Sequence, residues 1–187
     1  MSPEPRIVLL LLAVLLFPRS EAIAAPRKFG LLERSEDPEL SSICKKTDYA
    51  DICFSTIKPL LRGHKANLML ALKAEIGAAS VMFRSAKHQI EKVSNNPSSS
   101  KTMKDNLSVC SESYDSALDS LQSSLQAIAG RDRGTLSSEL SAVITYIETC
   151  NDAFVERPSA RSPVSTVASK LSKIGSNCLA IAQQVHL

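Results

Sequence analysis

Four stretches of this chain repeat apolar residues at steps of mostly three and four, and nothing else in the sequence restricts its fold as strongly. The first runs Leu68, Leu72, Ile76, Ala79, Phe83, Ala86, Ile90, Val93, and the second Met103, Leu107, Cys110, Tyr114, Ala117, Leu121, Leu125, Ile128. The third is Leu136, Leu140, Val143, Ile147, Cys150, Phe154, and the fourth Val164, Val167, Leu171, Ile174, Cys178, Ile181, Val185. At about 3.6 residues per turn each series lies on one helix face. Such spacing suits helices packed about 20° from antiparallel, the geometry of a four-helix bundle.

The breaks between stripes set the topology. Asn95-Asn96-Pro97 followed by three serines ends the first helix, because proline keeps the preceding residue out of the helical region and serine favours turns. Gly130 ends the second and Pro158 the third, and Ser162-Pro163 reads as a cap with proline at the first helical position. The connectors, residues 94–100, 130–135 and 158–162, are too short to return along a helix some 30 to 40 Å long. Neighbours must run up and down. Helical cytokines need two long crossovers, which this pattern lacks. Six Gly and nine Pro in 187 residues are also too few turn residues for a many-stranded sheet protein.

Residues 1–24 read as a secretory signal peptide: Arg6, an apolar run over 7–17, then Ala22-Ile23-Ala24. Eleven apolar residues span only about 16 Å as helix, short of a membrane. Residues 25–36, mixed in charge and without period, form an expected flexible leader to a domain over 37–187. Export puts the five cysteines where disulfides persist.

Asp37-Pro38-Glu39 looks like a helix start, and Thr47-Asp48 like a turn and second cap, which predicts a helical hairpin within 37–62 ahead of a bundle over 65–187. Cys44 with Cys53 would close a loop of about ten residues, worth roughly 2.5 to 3 kcal/mol by chain entropy. Cys110, Cys150 and Cys178 sit on three helix seams. The expected bridge is Cys110–Cys150, worth about 4 kcal/mol, with Cys178 a buried free thiol; a bridge from Cys178 to either is the alternative. The expectation is therefore an all-α fold, an up-down-up-down four-helix bundle preceded by a disulfide-closed N-terminal helical hairpin.

No grouping for chemistry appears. There is no Gly-rich phosphate loop, His-Glu-x-x-His, Gly-x-Ser-x-Gly or Cys-x-x-Cys, and neither cysteine nor histidine spacing fits zinc, so no metal or cofactor is implied. His88 falls off the seam on a solvated face, and His64 falls in a loop. A formal charge of +3 without basic blocks, and 4% aromatics, do not suit nucleic acid. Glu112, Asp115 and Asp119 follow helical steps on an outer face, where water or a partner meets them. Asn106-Leu107-Ser108 is a glycosylation sequon, with Asn106 beside the seam.

Four fragments in order then carry a resemblance. They are Ile43-Cys44-x-x-Thr47-x-Tyr49-x-x-x-Cys53; Cys110-x-Glu112-x-Tyr114-x-x-Ala117-Leu118-x-x-Leu121; Leu140-Ser141-Ala142 with Thr149-Cys150-x-Asp152-x-Phe154; and Ser176-Asn177-x-Leu179-Ala180-Ile181. Together they resemble the plant invertase and pectin methylesterase inhibitor family over about residues 40–185. The resemblance implies bridges of first with second and third with fourth cysteine. It implies an inhibitor rather than an enzyme, secreted to the apoplast or cell wall, with no membrane attachment in the mature form.

The implied partner is a pectin methylesterase, the alternative an acid invertase. Invertase inhibitors of this family carry Pro-Lys-Phe between the second and third bundle helices, where this chain has Gly130-Arg131-Asp132-Arg133-Gly134. Against that, Ala142-Val143-Ile144-Thr145 departs from the pectin-type pattern. By position the family's contact role falls to Glu112, Asp115 and Asp119 on one helix and Thr145, Glu148 and Asp152 on the next. If carboxylates dominate such a contact, affinity falls on acidification as they protonate.

Overall fold

A computed structural model describes residues 37–158 and 161–187. The expected signal peptide and leader lie outside the described residues. Helices α1 (Pro38–Cys44) and α2 (Ala50–Ile57), with a 3-10 turn at Lys58–Leu61, precede four long helices. These are α3 (Leu68–Ser94), α4 (Lys101–Gly130), α5 (Arg133–Glu156) and α6 (Ser165–Gln184). The described residues contain no strand, and no helix among them is long and apolar enough to cross a membrane.

Each long helix packs on two neighbours, α3 on α4 and α6, and α5 on α4 and α6. The predicted stripes form the core: Leu72, Ile76, Phe83, Leu107, Tyr114, Leu136, Ile147, Leu171 and Ile181 are buried. Phe83 and Tyr114 meet edge to face, centroids 5.0 Å apart at 76°. Burial raises the Tyr114 phenol to about 12.

Both bridges are present, Cys44–Cys53 and Cys110–Cys150, and Cys178 is a buried free thiol. Burial, then the nearby Glu75, pushes that thiol's pKa well up.

Helix starts follow capping chemistry. Asp37 Oδ1 accepts from the Glu39 and Leu40 N–H groups, and its Oδ2 accepts from the Ala66 N–H at 2.9 Å. One carboxylate thus starts α1 and closes the hairpin against the chain entering α3, and these N–H bonds hold its pKa down.

Two expected ends move. The predicted connector over 130–135 shrinks to Arg131 and Asp132: Arg131 takes the left-handed conformation (φ 57°), and Asp132 caps α5 by accepting from the Thr135 N–H. The expected cap at Ser162 is displaced. Ser162 Oγ accepts from the Val164 N–H at 3.3 Å in a turn, and α6 starts at Ser165. The second hairpin cap also differs, since α2 begins after Tyr49 without a side-chain cap, and Thr47 bonds back to the Cys44 carbonyl.

A stripe the apolar repeat does not show joins α4 to α5. Asn106, Cys110, Ser113, Ala117, Ser120, Ser124 and Ala127 are all small or short, spaced by three and four, and buried. Cys110 in that stripe bonds Cys150 with Cα atoms 4.3 Å apart, and Asn106 Nδ2 donates to the Arg157 carbonyl at 2.8 Å. Small side chains let these two backbones approach closely.

Candidate interaction surface

The Cys110–Cys150 bridge sets the register of the antiparallel pair α4 and α5. Two residues on along α4 and two back along α5, Glu112 stands level with Glu148. By the same count Asp115 stands level with Thr145. All six expected contact residues are exposed. They stand on separate ridges, because α4 meets α5 through its small-residue stripe. At 100° per residue, Glu112, Asp115 and Asp119 lie between about 110° and 170° around α4 from the stripe's centre.

Their local partners differ. Asp115 leans away from α5 and pairs with Lys87 of α3. Glu112 accepts from the Ser108 hydroxyl at 3.3 Å. Among the described residues, Glu112, Asp119, Glu148 and Asp152 have no Lys or Arg partner. On α5, Thr145, Glu148 and Asp152 share one outward ridge with Ser141 and Val155, and Val155 is 75% exposed. Ser141 and Val155 extend the same three-and-four spacing, a signal that attention to charge alone passes over.

Over two stretches of α4 and α5 the charge has one sign. Residues 105–130 carry Asp105, Glu112, Asp115 and Asp119 and no Lys, Arg or His. Residues 134–156 carry Glu139, Glu148, Asp152 and Glu156, again without a cation. The charge is inverted on α6, since residues 161–187 hold Arg161, Lys170 and Lys173 and no Asp or Glu. The expected contact carboxylates of α4 and α5 stand on an exposed helical surface. It can present charge and shape to another molecule.

The sequon at Asn106 requires a correction. Asn106 is fully buried, and its side-chain nitrogen, the atom a glycan would occupy, holds the C-terminal end of α5 through Arg157. Its place beside Leu107 is the α4–α5 seam rather than solvent, so the folded chain has no room for a glycan there. His88 is exposed as expected, 3.5 Å from Glu91.

The fold defines a class: a helical bundle with two disulfide cross-links. The family model described as plant invertase/pectin methylesterase inhibitor matches residues 38–181, and the chain belongs to that family, whose members are inhibitors and not enzymes. Two solved structures are similar: a mutant form of a pectin methylesterase inhibitor from Arabidopsis, with TM-score 0.67, 20% identity and coverage of 79% of this chain and 97% of that one; and a pectin methylesterase inhibitor from Arabidopsis thaliana, with TM-score 0.59, 20% identity and coverage of 79% and 96%. At that identity they bear on the fold. Pectinesterase 3 of Phaseolus vulgaris is 28% identical over 166 residues, 82% of this chain, and the chain spans 28% of its length.

Proposed function

We propose that this protein is secreted to the cell wall and inhibits a pectin methylesterase by covering its substrate cleft with the outer surface of α4 and α5. The observation that carries the reading is the exposed carboxylate surface, free of cations over residues 105–130 and 134–156, on two helices joined by Cys110–Cys150. A bundle cross-linked in this way loses little conformational freedom on docking. Glu112, Asp119, Glu148 and Asp152 supply the polar contacts, with Thr145 and Asp115 at the edge. Inhibition is steric, and the inhibitor contributes no reacting group.

The choice of target is supported by the two-residue connection Arg131–Asp132, which has no Pro-Lys-Phe, and by the pectin methylesterase inhibitors among the similar structures. An acid invertase is the second reading, favoured by Ala142-Val143-Ile144-Thr145. Mixing the mature protein with each enzyme in turn separates them. Loss of methyl-ester hydrolysis with sucrose hydrolysis untouched is expected, and the opposite pattern assigns the invertase.

A further inference from the structure

Glu75 is a carboxyl group inside the bundle. It lies on α3 with no solvent exposure; Oε1 accepts from Asn177 Nδ2 at 3.4 Å, and Oε2 has no partner among the described residues. Asn177, also fully buried, uses the rest of its amide on the hairpin: Oδ1 accepts from the Tyr49 N–H and Nδ2 donates to the Tyr49 carbonyl, each at 3.1 Å. The groups that face Glu75 from α6 are Asn177, the buried thiol of Cys178 and the Lys170 ammonium. From the hairpin the nearby residue is Tyr49, whose ring has Lys173 Nζ at 5.6 Å from its centroid.

We infer that Glu75 is a proton-dependent lock: neutral, it sits in the core beside Asn177 and the hairpin stays docked on α6; ionised, it draws water into that junction and releases the hairpin turn at Tyr49.

A carboxylate in this place would leave one oxygen without a donor in an apolar interior, a state far costlier than the neutral acid. Lys170 and the Asn177 amide favour the charged form, but desolvation outweighs them and raises the pKa from 4.5 to about 8. The sign follows from linkage. A group whose native pKa is raised contributes its full stability below the unfolded value, near 4.5, and loses it as pH climbs toward about 8. The Tyr49 junction is where release begins, because it is the hairpin's contact with the residue that touches Glu75. The inference concerns the fold and holds whichever enzyme the protein inhibits.

The test is amide hydrogen exchange of the oxidised protein between about pH 5 and 9, corrected for intrinsic rates. Protection of the Tyr49 amide is expected to fall about tenfold per pH unit up to about pH 8, and to lie well below that of amides in the middle of α4, which exchange only when the whole fold opens. Glu75→Gln is expected to flatten the Tyr49 profile, and Cys178→Ala to leave it in place, which excludes the thiol as the titrating group. A flat wild-type profile, an unchanged slope in Glu75→Gln, or Tyr49 protection equal to that of the α4 core at every pH overturns the inference. Should Glu75→Gln not fold, carbon-13 carboxyl NMR of the wild type decides: a Glu75 midpoint near 8 supports the lock, and one near 4.5 overturns it.

Discussion

Asn177 holds Tyr49 by both of its backbone groups, accepting from the N–H and donating to the C=O, across 128 positions of sequence. Beside it, the Ser176 hydroxyl donates to Asp48 at 2.5 Å. These bonds seat the hairpin turn on α6, and the Cys44–Cys53 bridge keeps the hairpin closed as it docks. Asn177→Ala would leave the Tyr49 N–H without a partner, while the Tyr49 C=O would keep its bond from the Cys53 N–H at 2.9 Å. An unsatisfied group of this kind costs about 1 to 3 kcal/mol, and a loss of that size is expected in urea unfolding.

The α4–α5 seam depends on small side chains. Ser120→Leu forces a branched chain into the seam between two helices whose Cα atoms come within 4.3 Å at the Cys110–Cys150 bridge. A loss of about 1 to 3 kcal/mol follows, read as a drop in melting temperature of about 2 to 4 °C per kcal/mol. Gln122 lies two residues further along α4 and is exposed, so Gln122→Leu serves as the control and should shift the melt little.

The bridges predict a thiol count. Native protein should react with a thiol reagent hardly at all, and denatured unreduced protein should show one thiol per chain, Cys178. Replacing Cys110 and Cys150 by alanine should cost about 4 kcal/mol, more than replacing Cys44 and Cys53, because the closed loop is longer, 40 against 9 positions. Three reactive thiols in the unreduced chain, or a labelled peptide other than that of Cys178, would contradict the pairing.

Asn106 should carry no glycan. The intact mass of protein secreted from a glycosylating host is expected to equal that of the oxidised polypeptide. Asn106→Ala should cost about 1 to 3 kcal/mol by freeing the Arg157 carbonyl it now binds. A sugar mass removed by amidase treatment would contradict the buried placement.

The four long helices and both bridges are legible in the sequence because burial here follows an apolar repeat, and Cys110 and Cys150 fall on it. What escapes is polar burial. Glu75 lies three residues after Leu72 and four before Ala79, and Asn177 three after Ile174 and four before Ile181, so both occupy core spacing. A reading that counts only apolar side chains steps past them to Ile76 and Cys178. Ser113, Ser120 and Ser124 escape for the same reason, and with them the true neighbours of Asn106. Helix ends shift where a side chain takes a different role, as when Asp132 caps α5 inside the stretch 130–135 expected to be a connector. The outward carboxylates are legible as exposed, but their ridges are not, since the angle between α4 and α5 depends on that small-residue stripe.

The most direct measurement titrates a pectin methylesterase acting on pectin with the wild-type protein and with a variant carrying Glu112→Gln, Asp119→Asn, Glu148→Gln and Asp152→Asn. The wild type is expected to suppress methanol release as it saturates the enzyme, and the variant, with its melting temperature unchanged, to require at least about tenfold more protein, as loss of about 1.4 kcal/mol of binding would give. Equal inhibition by both proteins, or none by the wild type at excess, would contradict the account.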